Sequence, residues 1–229
     1  MKSRDMELVI IRHGQTPGNA KRRYVGAVDE PLSELGREQA RDAGSYPEIS
    51  RVYVSTLART HETAAIMFPN AAQVVVEGVQ EMDFGVFAGR TAAEMEDDEQ
   101  YREWVDSYCM SPCPGGEDRD GFTRRVCSSL ASMLREAFAR GEERVILVAH
   151  GGTMMAALDT FGDGSRSYYD WHVGNCEGYL IAVDLNDPSS PEGISFAPVA
   201  SGAVADFLHP THADERARGQ RFLGDMQAS

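Results

Sequence analysis

Two short apolar runs, each ending in a histidine followed by glycine, constrain the fold more than any other feature of the chain. They are Leu8-Val9-Ile10-Ile11-Arg12-His13-Gly14 and Val145-Ile146-Leu147-Val148-Ala149-His150-Gly151-Gly152. A run of four or five apolar residues that stops at a polar residue and glycine predicts a buried parallel strand emptying into a loop. In open α/β sheets, ligands collect at those carboxyl ends. If the two strands are neighbours, His13 and His150 face each other although they are far apart in sequence.

The chain is long enough to build such a sheet. Its 229 residues, 42% of them hydrophobic, suit one domain (1–229) with a full core. The apolar runs are strand length, and Met1 to Asp5 leads into the first strand without a signal-peptide core, so a cytoplasmic location is expected. Cys109, Cys113, Cys127 and Cys176 make no CxxC pair and read as reduced structural thiols. The net charge of −14 argues against nucleic acid or an anionic membrane as a partner. Residues 61–120 hold three Lys or Arg against fourteen Asp or Glu, whereas the segments with the two histidines are near neutral. Any anion site must therefore be local.

Along the chain, strands are expected at 7–11, 51–55, 73–76, 144–149 and finally 179–183. A polar loop punctuated by Pro17, Gly18 and Gly26 spans 15–31, and Ser33 is placed to cap a helix that stops near Gly44. Further helices are expected at 58–67, 119–140 and 153–160, with two short acidic helices in 91–108. The expected fold class is α/β: a three-layer α/β/α sandwich with a mostly parallel central sheet and a small helical cap insertion at about 91–118. The tail, about 191–229, is weakly patterned.

Around the strand ends lie groups suited to a phosphoryl-transfer site that needs neither metal nor cofactor. Gln15, Thr16 and Asn19 follow Gly14 with hydrogen-bonding side chains fit to wrap an anion. Arg59 lies at a helix start, where backbone N–H groups also favour anions, and His150-Gly151-Gly152 again joins a strand to a helix. Phosphoryl transfer spreads negative charge over three oxygens, so catalysis is mostly positioning plus cationic donors. Arg12, Arg59 and a protonated His150 suit that task. A neutral histidine can attack phosphorus through one ring nitrogen if the other N–H is fixed by an acceptor, the role assigned to His13. The leaving alcohol needs a proton, for which Glu81, just before Asp83-Phe84-Gly85, is favoured over Glu77, Asp83 and Glu94.

With these residues in order, the chain resembles the histidine phosphatase superfamily, in the branch of phosphoglycerate mutases and small phosphatases. The resemblance covers roughly residues 7–183. It is carried by Arg12-His13-Gly14 with Thr16 and Asn19; Gly26, Asp29, Pro31-Leu32 and Gly36; Ser55 to Arg59 with Thr63-Ala64; Glu81 with Phe84-Gly85 and Gly89; Pro114-Gly115-Gly116-Glu117 with Phe122 and Arg125; and His150-Gly151-Gly152 with Asn175. It implies that His13 is the phosphorylated nucleophile, Glu81 the proton donor, Arg12, Arg59 and His150 the phosphate pocket, and Asn19 a further phosphate contact. Two positions depart from the family pattern: Gln15 stands where glutamate is frequent, and Val25 where a phosphate-binding glutamine is frequent. A complete pocket then calls on the Gly14, Gln15 and Thr16 amides and on Gly151.

Glu117, before a helix, reads as its N-terminal capping carboxylate. His61, His172, His209 and His212 carry no assigned chemistry, His172 being a candidate for the pocket rim and His209 with His212 for the surface. The segment 91–108 carries Glu94, Glu96, Asp97, Asp98, Glu99, Glu103 and Asp106 against Arg102, and such a lid repels a bisphosphate unless its acidic face points to solvent. The expected activity is therefore hydrolysis of a small phosphate monoester. Mutase-type phosphotransfer and a non-catalytic binding protein on the same fold are the alternatives. A metal hydrolase lacks ligands at recognised spacing, and a serine hydrolase lacks GxSxG. The Pro-Gly-Gly-Glu stretch resembles that of α-ribazole phosphatases and broad-specificity sugar-phosphate phosphatases. Tyr24, Phe87, Trp104, Tyr108 and Trp171 are candidate aromatic walls.

Overall fold

Alternation along the first strand sorts the core into two layers. In the computed structural model, which describes residues 6–187 and 190–208, β1 (Met6–Arg12) sends Leu8 and Ile10 to one face and Val9 and Ile11 to the other. The first pair packs with Leu130 and Leu134 of α5 (Arg119–Ala139) and Met154 and Leu158 of α6 (Gly151–Phe161). The second packs with Ala40 of α2 (Glu34–Asp42) and Ala64 and Met67 of α3 (Ala58–Met67). Helices on both faces leave the strand no solvated side, which is why its sequence is continuously apolar rather than alternating. Each fully buried aliphatic side chain contributes about 1.5–3 kcal/mol by transfer from water.

The remaining strands are β2 (Arg51–Val54), β3 (Ala72–Val75), β4 (Arg144–Ala149), β5 (Glu177–Asp184) and β6 (Ser195–Ala203). Their order is β3-β2-β4-β1-β5-β6, with the β1/β4, β2/β4 and β2/β3 pairs parallel and the β1/β5 and β5/β6 pairs antiparallel. The sheet is thus mixed and mostly parallel. Register decides the site: Arg12 lies opposite Ala149 on parallel strands, so the chain leaves both at the same end with His13 beside His150.

A third apolar cluster covers that end. Met82, Phe87, Met95, Phe122 and Val126 gather there with Tyr101 and Trp104 of α4 (Glu99–Asp106). Met95, Tyr101 and Trp104 turn inward, while Glu94, Glu96, Asp97, Glu99, Glu103 and Asp106 are exposed and Asp98 caps α4 and pairs with Arg90. The acidic face of this segment points to solvent, so it forms no negative ceiling over the pocket.

Four local expectations are corrected. The strand at 179–183 is not the last: β6 pairs antiparallel with β5 inside the stretch expected to be an unpatterned tail. The loop 15–31 contains a short helix, α1 (Pro17–Ala20), set by Pro17 at its first position and a capping box between Thr16 and Asn19. The cap of α5 is Asp118, whose side chain accepts the Gly121 N–H, and not Glu117. Helix α6 begins at Gly151, directly after His150, and α7 (Ala205–Leu208) closes the described chain. All four cysteines are free thiols. Among the described residues no helix is long and apolar enough to cross a membrane.

Candidate active site

His13 and His150 meet edge to face, with ring centroids 5.2 Å apart. His13 Nδ1 donates to its neighbour's carbonyl, Gly14 O, at 2.7 Å, so its Nε2 carries the lone pair. Arg59 Nε donates to that nitrogen at 3.2 Å and to His150 Nδ1 at 3.3 Å. His150 then donates from Nε2 to Ser55 Oγ at 2.8 Å, and Ser55 can pass its own proton to Thr60 Oγ1. Burial, reinforced by the Arg59 charge, pushes the His13 imidazole down to about 3 and His150 well below the usual histidine range. Both rings are therefore neutral. The His13 ring is neutral with Nδ1 fixed by a backbone carbonyl, whereas His150, expected as a protonated donor, is neutral and accepts from Arg59 at Nδ1.

Two arginines supply the charge. Arg59 is 1% exposed, and its fork is fixed by Gly26 O on Nη2 and Val28 O on Nη1, at 2.7 and 2.8 Å. Its turn of α3 is anchored where Asp29 Oδ1 accepts the Ala58 N–H. Arg12 Nη1 donates to Val173 O at 2.7 Å and to His172 Nε2 at 3.1 Å, while its Nε is buried without a protein partner. Among the described residues neither arginine makes an ion pair within 4 Å of a carboxylate. Glu81 lies close enough for its charge to act on both.

Glu81 is built into the wall. Its Oε2 accepts the Gly152 N–H at 3.0 Å and its Oε1 the Met82 N–H at 3.0 Å. A Cβ at residue 152 would lie 2.1 Å from Glu81 Oε1, so the carboxylate reaches α6 only because glycine stands there. The loop that carries Glu81 is held by Arg125, which donates to Gly78 O and Gln80 O and takes Glu117 in a two-pronged pair at 2.8 and 2.7 Å. Glu117 also accepts the Asp83 N–H. It braces the loop that carries Glu81.

This constellation coincides with a sequence match to the histidine phosphatase superfamily (branch 1) over residues 8–190. The chain belongs to that superfamily. A 2,3-bisphosphoglycerate-dependent phosphoglycerate mutase of Methylorubrum populi is 32% identical over 164 residues, spanning 66% of this chain and 76% of that one. The mycobacterial glucosyl-3-phosphoglycerate phosphatase superimposes with a TM-score of 0.67 at 25% identity, over 86% of this chain and 99% of that one. The α-ribazole phosphatase of Shigella flexneri shares the fold, with a TM-score of 0.64 at 22% identity over 85% and 96% of the two chains.

Within this histidine phosphatase fold the glycine loop differs from its expected use. The Gly14 N–H donates to Thr63 Oγ1, the Gln15 N–H to Gln39 Oε1 and the Thr16 N–H to Asn19 Oδ1. All three amides are satisfied inside the protein, so they do not replace the glutamine missing at Val25. Asn19 keeps its Nδ2 donor, and Gly151 opens α6 beside Arg12, whose Nε is 3.6 Å from the Cβ position. Of the aromatic candidates, Phe87, Trp104 and Trp171 are buried in packing and Tyr108 is exposed, whereas Tyr24 is half-buried against Phe84. His61 bonds Gln73, and His209 and His212 lie outside the described residues.

His172, expected as a candidate for the pocket rim, and Asn175, part of the family resemblance, make contacts whose partners the sequence does not name. His172 sits directly on Arg12, and Asn175 Nδ2 donates to His13 O at 2.8 Å. No local pattern announces the first, because it joins positions 160 apart through the loop before β5. Among the described residues no group of three or more His, Cys, Asp or Glu side chains is placed to hold a metal ion.

Proposed function

We propose that this protein hydrolyses small phosphate monoesters through a phosphohistidine at His13. The observation that carries this reading is a pair of guanidinium groups without an ion-pair partner among the described residues, Arg59 buried and Arg12 half-buried, converging on a histidine held neutral with its Nε2 lone pair turned toward Arg59. Buried cations without an ion-pair partner are costly, and an anionic ligand offsets that cost. His13 Nε2 attacks phosphorus, the P–O bond to the alcohol breaks, and the Glu81 carboxyl gives its proton to the departing oxygen. Water then attacks the phosphohistidine, Glu81 takes its proton back, the P–N bond breaks and inorganic phosphate leaves. A phosphate dianion favours protonation of His150, so that ring becomes a donor to the phosphoryl oxygens only in the complex. Arg12, Arg59 and Asn19 complete the set of donors.

Hydrolysis is favoured over mutase-type transfer because no lysine or arginine in residues 91–118 faces inward: Arg102 is exposed and bonds Glu96 O. Mutase-type transfer would use the same first half-reaction and differ in the acceptor. The test is a panel of phosphate monoesters, with intact-mass detection of the phosphoenzyme after rapid quench. Hydrolysis with a transient phosphate adduct is expected, and both vanish in His13→Ala. Activity retained by His13→Ala would overturn the nucleophile, and 3-phosphoglycerate interconversion faster than hydrolysis of every ester would overturn the phosphatase assignment.

A further inference from the structure

Arg12 Nη1 carries two N–H donors and has two acceptors, Val173 O at 2.7 Å and His172 Nε2 at 3.1 Å. A guanidinium is always charged and only donates, so His172 must present a lone pair at Nε2 and carry its proton on Nδ1. With both hydrogens of Nη1 engaged, the guanidinium plane can no longer rotate. Its remaining edge includes Nε, which is buried, unpartnered and set against Gly151 at the start of α6. The rest of the His172 side chain is exposed, and its backbone N–H is held by Tyr169 O. Among the described residues, the contact to Arg12 is the one hydrogen bond that ties this ring to the site.

We propose that His172 is a positioning residue for phosphate binding, acting through Arg12 as a neutral acceptor and releasing it when protonated. This rests on the phosphatase reading above. An imidazolium has no lone pair for Arg12 and repels it, so protonation frees the guanidinium to turn away from the pocket. The charged groups facing the ring are Arg12 from β1 and Glu177 from β5. Burial and Arg12 hold the imidazole below the usual histidine range, and Glu177 opposes them in part. The acceptor form therefore prevails at neutral pH and is lost as pH falls through that lowered value. His13 is not the source of this transition, because it remains neutral down to about 3.

The experiment compares wild type with His172→Leu and His172→Gln, measuring KM and kcat for an aryl phosphate monoester and inhibition by inorganic phosphate across the acidic range. His172→Leu should raise KM and the phosphate inhibition constant about tenfold at neutral pH, the worth of one charge-assisted hydrogen bond, with kcat little changed. His172→Gln offers an oxygen acceptor that cannot be protonated, and it should recover wild-type affinity to within about twofold at neutral pH. The ratio of wild type to His172→Gln cancels the ionisation of the ester, and KM should rise more steeply in acid for wild type. Melting temperatures should match, because the side chain is exposed. Equal losses in both variants, or one pH profile for all three proteins, would overturn the positioning role while leaving the phosphatase reading intact. Wild-type protein that neither binds inorganic phosphate nor hydrolyses the ester would overturn that reading, and this role with it.

Discussion

At the carboxyl ends of β1 and β4, Arg12 and Arg59 are enclosed by histidines and carbonyls with no carboxylate on them, whereas at the opposite end of the sheet Arg51 and Arg140 both grip Glu142, at 2.7 and 2.9 Å. Tyr53 OH adds a bond to the same carboxylate and receives one from Arg140. One sheet thus carries a completed ionic network at one end and, at the other, two guanidinium groups without an ion pair among the described residues, one of them fully buried. Completed networks stabilise the fold and have nothing left to offer a ligand. Unmatched buried cations lower stability and attract whatever completes them.

That contrast is open to direct attack. The largest effect is expected from Arg59→Lys, because an ammonium cannot hold Gly26 O and Val28 O while also reaching both histidines. kcat/KM for a monoester should fall by about 10²–10³-fold, the scale of losing one transition-state donor. A fall of less than tenfold would show that the guanidinium geometry is not used.

At the other end, Glu142→Gln should cost about 1–2 kcal/mol of stability in urea unfolding and leave kcat/KM unchanged. Burial pushes the Glu142 carboxyl up, but hydrogen bonds from Arg140, Tyr53 and Arg51 outweigh it and leave it below its usual value. Its contribution is therefore present above the ordinary glutamate value and is lost as pH falls through the lowered one, so wild type and variant should converge in acid. A gap that stays constant with pH would place the stabilisation elsewhere. The smallest effect belongs to the cap surface: Glu99→Gln, Glu103→Gln and Asp106→Asn together should change kcat/KM by less than about twofold, because exposed charges at that remove are screened. A clear gain toward doubly anionic esters would mean that the acidic face does act on the substrate.

The two histidines were readable because parallel strands buried on both faces leave an unbroken apolar signature, and a strand end is a position in space as well as in sequence. Arg59 was readable for the same reason, lying just after β2. β6 was not, because Ser195–Ala203 includes Pro198 and Gly202 and pairs only as an edge strand with a register shift at Leu180/Ile181. In α1 the proline and glycine that suggest a loop are the first residues of a helix, and only the reciprocal Thr16 and Asn19 bonds reveal it. The Gly14 and Gln15 amides and the His172 contact depend on partners far away in sequence, Thr63, Gln39 and Arg12, which no local pattern names.

The hydrogen at Gly152 has a consequence for anyone moving this chemistry elsewhere. The five side chains proposed to react, grafted onto another α/β scaffold, would not reproduce the site unless the helix after the second histidine also lacked a β-carbon at its second residue. The Glu81 carboxylate would then stand a methyl group's width out of place, with its backbone tether gone. Steric room at one backbone position is as much a component to be transplanted as the carboxylate itself.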